Sequence, residues 1–176
     1  PSLMKTPKVF TVDEVMRLPA VSRFHFIECG ANTGMEWGNV AVPTCQYSHG
    51  MISCSEFTGV PLAEVLKKAG LKSNAVSVRF KGFDRGQPDL AVQYRSVGRS
   101  DFKLVDPGVI NYEKGMPLAK AMHPDTLLAW SMNGEWLTHI HGAPVRVVTP
   151  GWSGNWWVKW LEQIEVLDHM PQCYYQ

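Results

Sequence analysis

The sequence predicts an α+β domain built on largely mixed or antiparallel sheets with short helices, and three observations carry the prediction. Short helical patterns lie scattered among about half a dozen strand patterns with no regular strand-helix alternation, which argues against a doubly wound parallel sheet. The dipeptide Asn133-Gly134 separates strand patterns over residues 127–132 and 135–137, and it supplies the positive backbone angles of a tight type I′ hairpin. The run Arg23-Phe24-His25-Phe26 has the period-two pattern of a half-buried strand, and the strand ends at Cys29, Gly30, Ala31, Asn32, Thr33 and Gly34.

The elements follow in order. Thr11 with Glu14 three residues on makes a capping-box signal, so a short helix is expected over residues 13–18, stopped at Pro19. A strand over residues 21–28 delivers Cys29 to a loop of small residues that a bulky ligand can approach closely. Residues 35–55 show no sustained period and read as a long, functional loop. Thr58-Gly59-Val60-Pro61 opens a helix with Pro61 in its first turn, Leu62, Val65, Leu66 and Ala69 along one face, and Gly70 as its stop. Val76, Val78 and Phe80 alternate with Ser77, Arg79 and Lys81, predicting a strand that ends at Gly82-Phe83-Asp84. Residues 85–112 are mixed and glycine-rich, and residues 117–122 make a short helix before His123-Pro124. Residues 143–149 and 158–167 read as further strands, separated by the loop 150–155.

Composition narrows the function. With 176 residues and 45% hydrophobic content the chain can bury one sizeable core, so a single domain is expected. Seventeen basic and sixteen acidic side chains leave a net charge of +1, which provides no global field for nucleic acid or an anionic membrane. No apolar run approaches the length of a membrane span. Cys29, Cys45, Cys54 and Cys173 form no Cys-x-x-Cys pair, so neither a zinc ribbon nor a thioredoxin-type motif is supported. The chain opens at Pro1 without an initiator Met and stops at Gln176 just after a strand pattern, so a domain incomplete at both ends is expected.

Several residues could carry chemistry. Taken alone, Cys29 fits an inert small hydrophobe as well as a metal ligand, and nucleophilic catalysis with a histidine stays open. His139 and His141 flank Ile140, and strand spacing would put both rings on one face, although no further ligand lies at a zinc-like offset. Arg146 stands inside the apolar run of residues 145–148, where an unpaired guanidinium is costly, so it is expected to meet an anion. Lys159 between Val158 and Trp160 repeats the pattern. Two cations and His141 on neighbouring strands would make a phosphate site; a solvated sheet face is the alternative. Asp84 reads either as a turn residue or as an acceptor for the N–H groups of a heterocycle.

Together the stretches Glu28-Cys29-Gly30-Ala31-Asn32, Phe57-Thr58-Gly59-Val60-Pro61-Leu62, Gly82-Phe83-Asp84, the residues from Leu127 to Gly134, those from His141 to Gly151, and Val158-Lys159-Trp160-Leu161 resemble the molybdopterin domain of the sulfite oxidase family over nearly the whole chain. The resemblance implies that Cys29 supplies its thiolate to molybdenum. It also implies that Asp84, His141, Arg146, Trp157, Val158 and Lys159 hold the pterin and its phosphate. Phe57 stands where the family often has Trp, and Trp157 lies where a smaller or polar side chain is usual.

One departure bears on the substrate. Sulfite oxidases proper carry arginines shortly after the cysteine to grip sulfite, and this chain has Thr33 and Gly34 there. The segment from Cys29 to Cys54 looks most like the molybdenum subunit of the sulfane dehydrogenases of bacterial thiosulfate oxidation, which works with a c-type cytochrome in the periplasm. The implied function is a two-electron oxidation of a reduced sulfur centre, free or on a sulfur-carrier protein, with oxygen drawn from water. From their proximity in sequence, the uncharged aromatic residues Trp37, Tyr47 and Phe57 are expected to line an entrance suited to a sulfur carried on a partner's side chain. The resemblance further implies a homodimer or hetero-oligomer in the full-length protein, an immunoglobulin-like dimerisation domain, and an active-site tyrosine beyond Gln176, so that role does not pass to Tyr174 or Tyr175. Oxidation of free sulfite, or a binding module that keeps the fold without turnover, are the alternatives.

Overall fold

The computed structural model describes residues 3–5, 7–34, 48–87 and 108–173. The capping box forms as expected: the Glu14 amide donates to Thr11 Oγ1 at 3.2 Å, and the Thr11 amide donates to Glu14 Oε2 at 2.8 Å. Helix α1 is Val12–Met16, which starts one residue before the expected span and ends two residues short of it, with Arg17 as its cap. Strand β1 (Val21–Glu28) has the expected bounds and antiparallel neighbours β2 (Ile52–Pro61).

Strand β2 corrects two expectations. Residues 52–55 belong to a strand and not to a long loop, and Thr58 to Val60 continue that strand in place of opening a helix. Period analysis missed β2 because its first half is polar while Phe57, Gly59 and Val60 are buried on consecutive faces, so no alternation exists to read. Gly59 is required by close packing: a Cβ there would stand 2.2 Å from the Leu128 carbonyl oxygen. Helix α2 (Leu62–Ala69) then begins with Pro61 as its cap and not in its first turn, buries Leu62, Ala63, Val65 and Leu66, and ends at Gly70 with φ 81°.

Strand β3 (Ser77–Gly86) starts one residue later and runs further than expected, with a register shift at Lys81/Gly82. Strand β4 (Ile110–Pro117) was invisible as a strand in the sequence, since Lys114 and Gly115 interrupt its apolar pattern and both are buried. Helix α3 (Leu118–Ala121) leads to β5 (Leu127–Met132) and β6 (Glu135–Trp136), joined by the expected hairpin with Asn133 at φ 54° and Gly134 at φ 79°. Strand β7 (Arg146–Val148) is shorter than expected, and β8 (Leu161–Leu167) excludes Val158, Lys159 and Trp160.

Two sheets result. One has the order β1-β2-β5-β6, with β7 also on β5; the other has the order β4-β3-β8. Every pairing between these strands is antiparallel, which resolves the expected mixed-or-antiparallel sheet. Strand β5 is buried on both faces. Leu128 enters a core with Val60, Leu62, Val78, Phe80, Met116, Val147 and Val158, while Leu127 and Ala129 enter a smaller one with Phe57, Val148 and Trp157. That smaller core underlies the residues with chemistry. No helix among the described residues is long and apolar enough to cross a membrane.

Candidate functional site

Cys29 leaves the end of β1 exposed, which removes the buried, inert reading. Its backbone is pinned: its amide donates to the Met51 carbonyl at 3.0 Å, and its own carbonyl accepts from the Asn32 amide at 3.0 Å. The Ala31 amide faces Cys29 Sγ at 3.5 Å. Asn32 Nδ2 donates to Glu28 Oε1 at 2.7 Å, and Asn32 Oδ1 accepts from the Met51 amide at 3.2 Å. Thr33 sits at φ 62°, unusual for a β-branched residue, with its amide bonded to the Ser48 carbonyl at 2.7 Å.

Beside the thiol opens a cavity of about 800 Å³ lined by Ile27, Cys29, Gly30, Ala31, Met51, Ile52, Ser53, Gly154 and Asn155. None of these side chains carries a fixed charge. Its far wall is the loop 150–157, held by three tethers: Lys120 Nζ donates to the Pro150 carbonyl at 2.6 Å, Tyr112 Oη to the Asn155 carbonyl at 2.7 Å, and Trp156 Nε1 to the Gly115 carbonyl at 2.9 Å. Gly30 and Gly154 let the two loops touch, since a Cβ on Gly30 would meet Ser153 Oγ at 2.9 Å and one on Gly154 would meet the Glu28 carbonyl at 3.0 Å.

The cation cluster lies along the same loop. Trp157 is buried, edge-on to Phe57 at 5.5 Å between centroids, and donates from Nε1 to the Trp152 carbonyl at 3.0 Å. Arg146 is only 5% exposed, so it does not sit on a solvated face. Its Nη1 donates to the His141 carbonyl at 3.0 Å and its Nη2 to the Trp157 carbonyl at 3.3 Å, with the guanidinium 5.7 Å from the Phe57 ring. Burial lowers its pKa to about 10. Lys159 is not on a strand as expected, yet it reaches the same turn: its Nζ donates to the Ile140 carbonyl at 3.0 Å and lies 4.2 Å from the Trp160 ring. Val158 is buried, and its carbonyl accepts from the Val147 amide at 2.8 Å.

That turn, His139–His141, is a 3-10 turn and not a strand. With three residues per turn, positions two apart diverge, so the His139 and His141 rings separate. His139 packs on Trp160 at 5.7 Å between centroids, and His141 Nδ1 pairs with Thr138 Oγ1 at 2.8 Å. The His-x-His metal reading therefore fails, and no group of three His, Cys, Asp or Glu among the described residues could hold a metal. Asp84 folds back over Gly82, where a Cβ would meet Asp84 Oδ1 at 2.2 Å and the Lys159 carbonyl at 3.1 Å. Burial pushes its carboxyl above the usual range, against the opposing pull of its own amide and of Lys159.

Five buried side-chain polar atoms among the described residues have no hydrogen-bond partner: His25 Nε2, Asp84 Oδ1, Arg146 Nε, Thr149 Oγ1 and Ser153 Oγ. Each such atom costs about 1–3 kcal/mol. Three of them, an acceptor on Asp84 and donors on Arg146 and Ser153, belong to the segments just described. A polar heterocycle bearing a phosphate needs acceptors for its N–H groups and donors for its oxygens, so these residues fit such a group. Sequence reasoning missed Ser153, Gly154, Met51 and Ser53. The first two stand in a recognisable turn, but the last two depended on finding β2. Phe57 was expected to line an entrance and is instead 1% exposed beneath Trp157, while Trp37, Tyr47 and Cys45 lie outside the described residues.

An exposed thiol beside an uncharged cavity, with a cation cluster along the adjoining loop, belongs to a class of domains that ligate a metal through a bound organic cofactor. The chain belongs to the oxidoreductase molybdopterin binding domain family, whose model matches residues 2–175, and it is a molybdopterin-binding domain of the sulfite oxidase type. Among solved structures it is similar to the sulfane dehydrogenase SoxCD from Paracoccus pantotrophus, with 35% identity and a TM-score of 0.77 over 96% of this chain and 37% of that one. Among curated proteins, it is 32% identical to mitochondrial sulfite oxidase from Drosophila melanogaster over 96% of this chain and 27% of that protein. It is also 31% identical to NADH nitrate reductase from Ulva prolifera over 98% of this chain and 19% of that protein. The chain thus spans well under half the length of these relatives.

Proposed function

We propose that this domain serves an enzyme that oxidises a reduced sulfur centre, a sulfane-type dehydrogenase, with a c-type cytochrome as electron acceptor in the periplasm. When bound, the molybdenum-pterin group takes two electrons from the sulfur while oxygen from water enters the product. Cys29 supplies the protein's thiolate ligand. Asp84 accepts from the heterocycle; His141, Arg146 and Lys159 donate to the phosphate; Trp157 and Val158 form the buried backing against which the group rests. The Cys29 turn, stapled to Met51 and Ser48, orients the thiol toward the cavity.

The observation that carries the substrate reading is the uncharged cavity around Cys29. A small dianion such as sulfite needs cations near the metal, and neither the lining residues nor Thr33 and Gly34 provide one. A sulfur atom presented on a partner's side chain, or a neutral sulfur compound, needs none. The likeness to SoxCD supports the same reading, whereas the likeness to sulfite oxidases favours free sulfite, gripped by arginines elsewhere in the protein. Molybdenum analysis of the full-length protein tests the enzyme against a binding module: one metal per chain is expected. Steady-state kinetics then separate the substrates. The kcat/KM for a carrier-bound persulfide should exceed that for free sulfite, and the reverse order overturns the sulfane reading.

A further inference from the structure

We propose that Asn32 is a positioning residue for the Cys29 thiol, acting through a clamp with Glu28 and Met51; this rests on Cys29 being the ligand. The Cys29 turn has no large side chain to hold it, since Gly30, Ala31 and Gly34 bury almost nothing. Three contacts converge on Asn32 instead. Its side-chain amide donates to Glu28 Oε1 at 2.7 Å, its side-chain oxygen accepts from the Met51 amide at 3.2 Å, and its backbone amide donates to the Cys29 carbonyl at 3.0 Å. Met51 accepts in turn from the Cys29 amide at 3.0 Å.

The side chain of Asn32 therefore bridges the last residue of β1 and the residue preceding β2, beside the Cys29 N–H to Met51 carbonyl bond and across the mouth of the turn that carries the thiol. The Asn32 amide serves both partners at once, because the Glu28 carboxylate requires a donor and the Met51 N–H requires an acceptor. The turn so fixed keeps the Ala31 N–H 3.5 Å from Sγ and holds the sulfur beside the cavity, open to reagents. Released from the clamp, the turn keeps its sequence but not that aim.

The chemistry of the clamp can be inverted. In Asn32→Asp, a carboxylate faces the Glu28 carboxylate and the donor is lost. Adding Glu28→Gln restores one donor and one acceptor with the same net charge as the wild type. Glu28→Gln alone keeps an oxygen that can accept from Asn32, so it should cost less than threefold. The full-length protein is made without cofactor, and the rate at which iodoacetamide alkylates Cys29 is read against that of exposed Cys54 in the same sample. Asn32→Asp should slow Cys29 relative to Cys54 by fivefold or more, and the double variant should return to within twofold of wild type. In the molybdenum-loaded protein, kcat should fall about tenfold with KM within twofold, and the double variant should recover it.

A double variant that reacts like Asn32→Asp, or an Asn32→Asp that reacts like wild type, overturns the clamp. Should Asn32→Asp not fold, Asn32→Ala takes its place: the clamp requires Cys29 to slow fivefold or more in that variant and to stay within twofold of wild type in the double variant. If the alkylation pattern is as expected but the wild type takes up no molybdenum, the clamp stands and the proposed function falls.

Discussion

Replacing Arg146 by Met separates what this side chain does for the fold from what it does for the cofactor. Met fills a comparable volume without charge. Burial lowers the guanidinium pKa to about 10, which corresponds to a penalty of about 3 kcal/mol on the charged form. Against that penalty stand two hydrogen bonds from a charged donor, to the His141 and Trp157 carbonyls, worth about 1.5–3 kcal/mol each. Arg146→Met removes both sides of this balance, so the cofactor-free protein should lose no more than about 3 kcal/mol, or up to about 10 °C in Tm. Its Nε is a buried donor without a partner. If that donor meets the pterin phosphate, its loss weakens cofactor retention by a further 1.5–3 kcal/mol, roughly 10- to 150-fold. Pterin fluorescence after exhaustive dialysis, with a thermal melt of the cofactor-free protein alongside, measures the two effects separately. Wild-type pterin retention together with a lowered Tm would refute the reasoning, and Arg146 would then only brace the turn it bonds.

Cys29→Ser should leave the Tm within a few degrees and abolish turnover, because a hydroxyl is a poor substitute for a soft thiolate on the metal, while Cys54→Ser and Cys173→Ser keep activity; an assay of the three variants checks this. Asp84 should make stability fall with rising pH. Its folded pKa is raised, so the folded state holds a proton the unfolded state has lost, and that contribution disappears as pH climbs from the ordinary carboxylate value through the folded one. Asp84→Asn should flatten this slope in melts of the cofactor-free protein across the acid range, and an unchanged slope would assign it to another group. Gly59→Ala should destabilise by about 3 kcal/mol or more, since a Cβ would stand 2.2 Å from the Leu128 carbonyl oxygen and 2.6 Å from Ala129 Cα. Denaturant titration reads it, and a loss below about 1 kcal/mol would mean that the β2–β5 pairing yields easily.

Elements whose causes are local were legible in the sequence. The Thr11/Glu14 box, the apolar face of α2 and the Asn133-Gly134 hairpin each depend on residues a few positions apart, and each formed where expected. Strands β2 and β4 were not legible, because what holds them is distant. Gly59 needs Leu128 beside it to make sense, and Gly115 needs Pro171, whose ring would lie 2.5 Å from a Cβ there. The site divides the same way. The isolation of Cys29 among small residues and of Arg146 among valines pointed to chemistry, and the structure leaves the thiol exposed and the guanidinium buried. The sequence could not place Lys159 off the strand, because Trp160 adopts φ 48° and redirects the chain just before β8. Nor could it show that Arg146 and Lys159 converge on one short turn.

That convergence bears on how the two cations are held. The adjacent carbonyls of Ile140 and His141 already occupy donors on Lys159 and Arg146, and Gly142, at φ 103°, makes room for the Lys159 stem that would lie 2.8 Å from any Cβ. Both cations thus have resident acceptors in the bare polypeptide. Domains whose metal site exists only once the metal arrives fold and load in a single event. Here the backbone carbonyls of one short turn hold both cations, so the placement of these two side chains is set by the fold of residues 139–142 and shifts whenever that turn shifts.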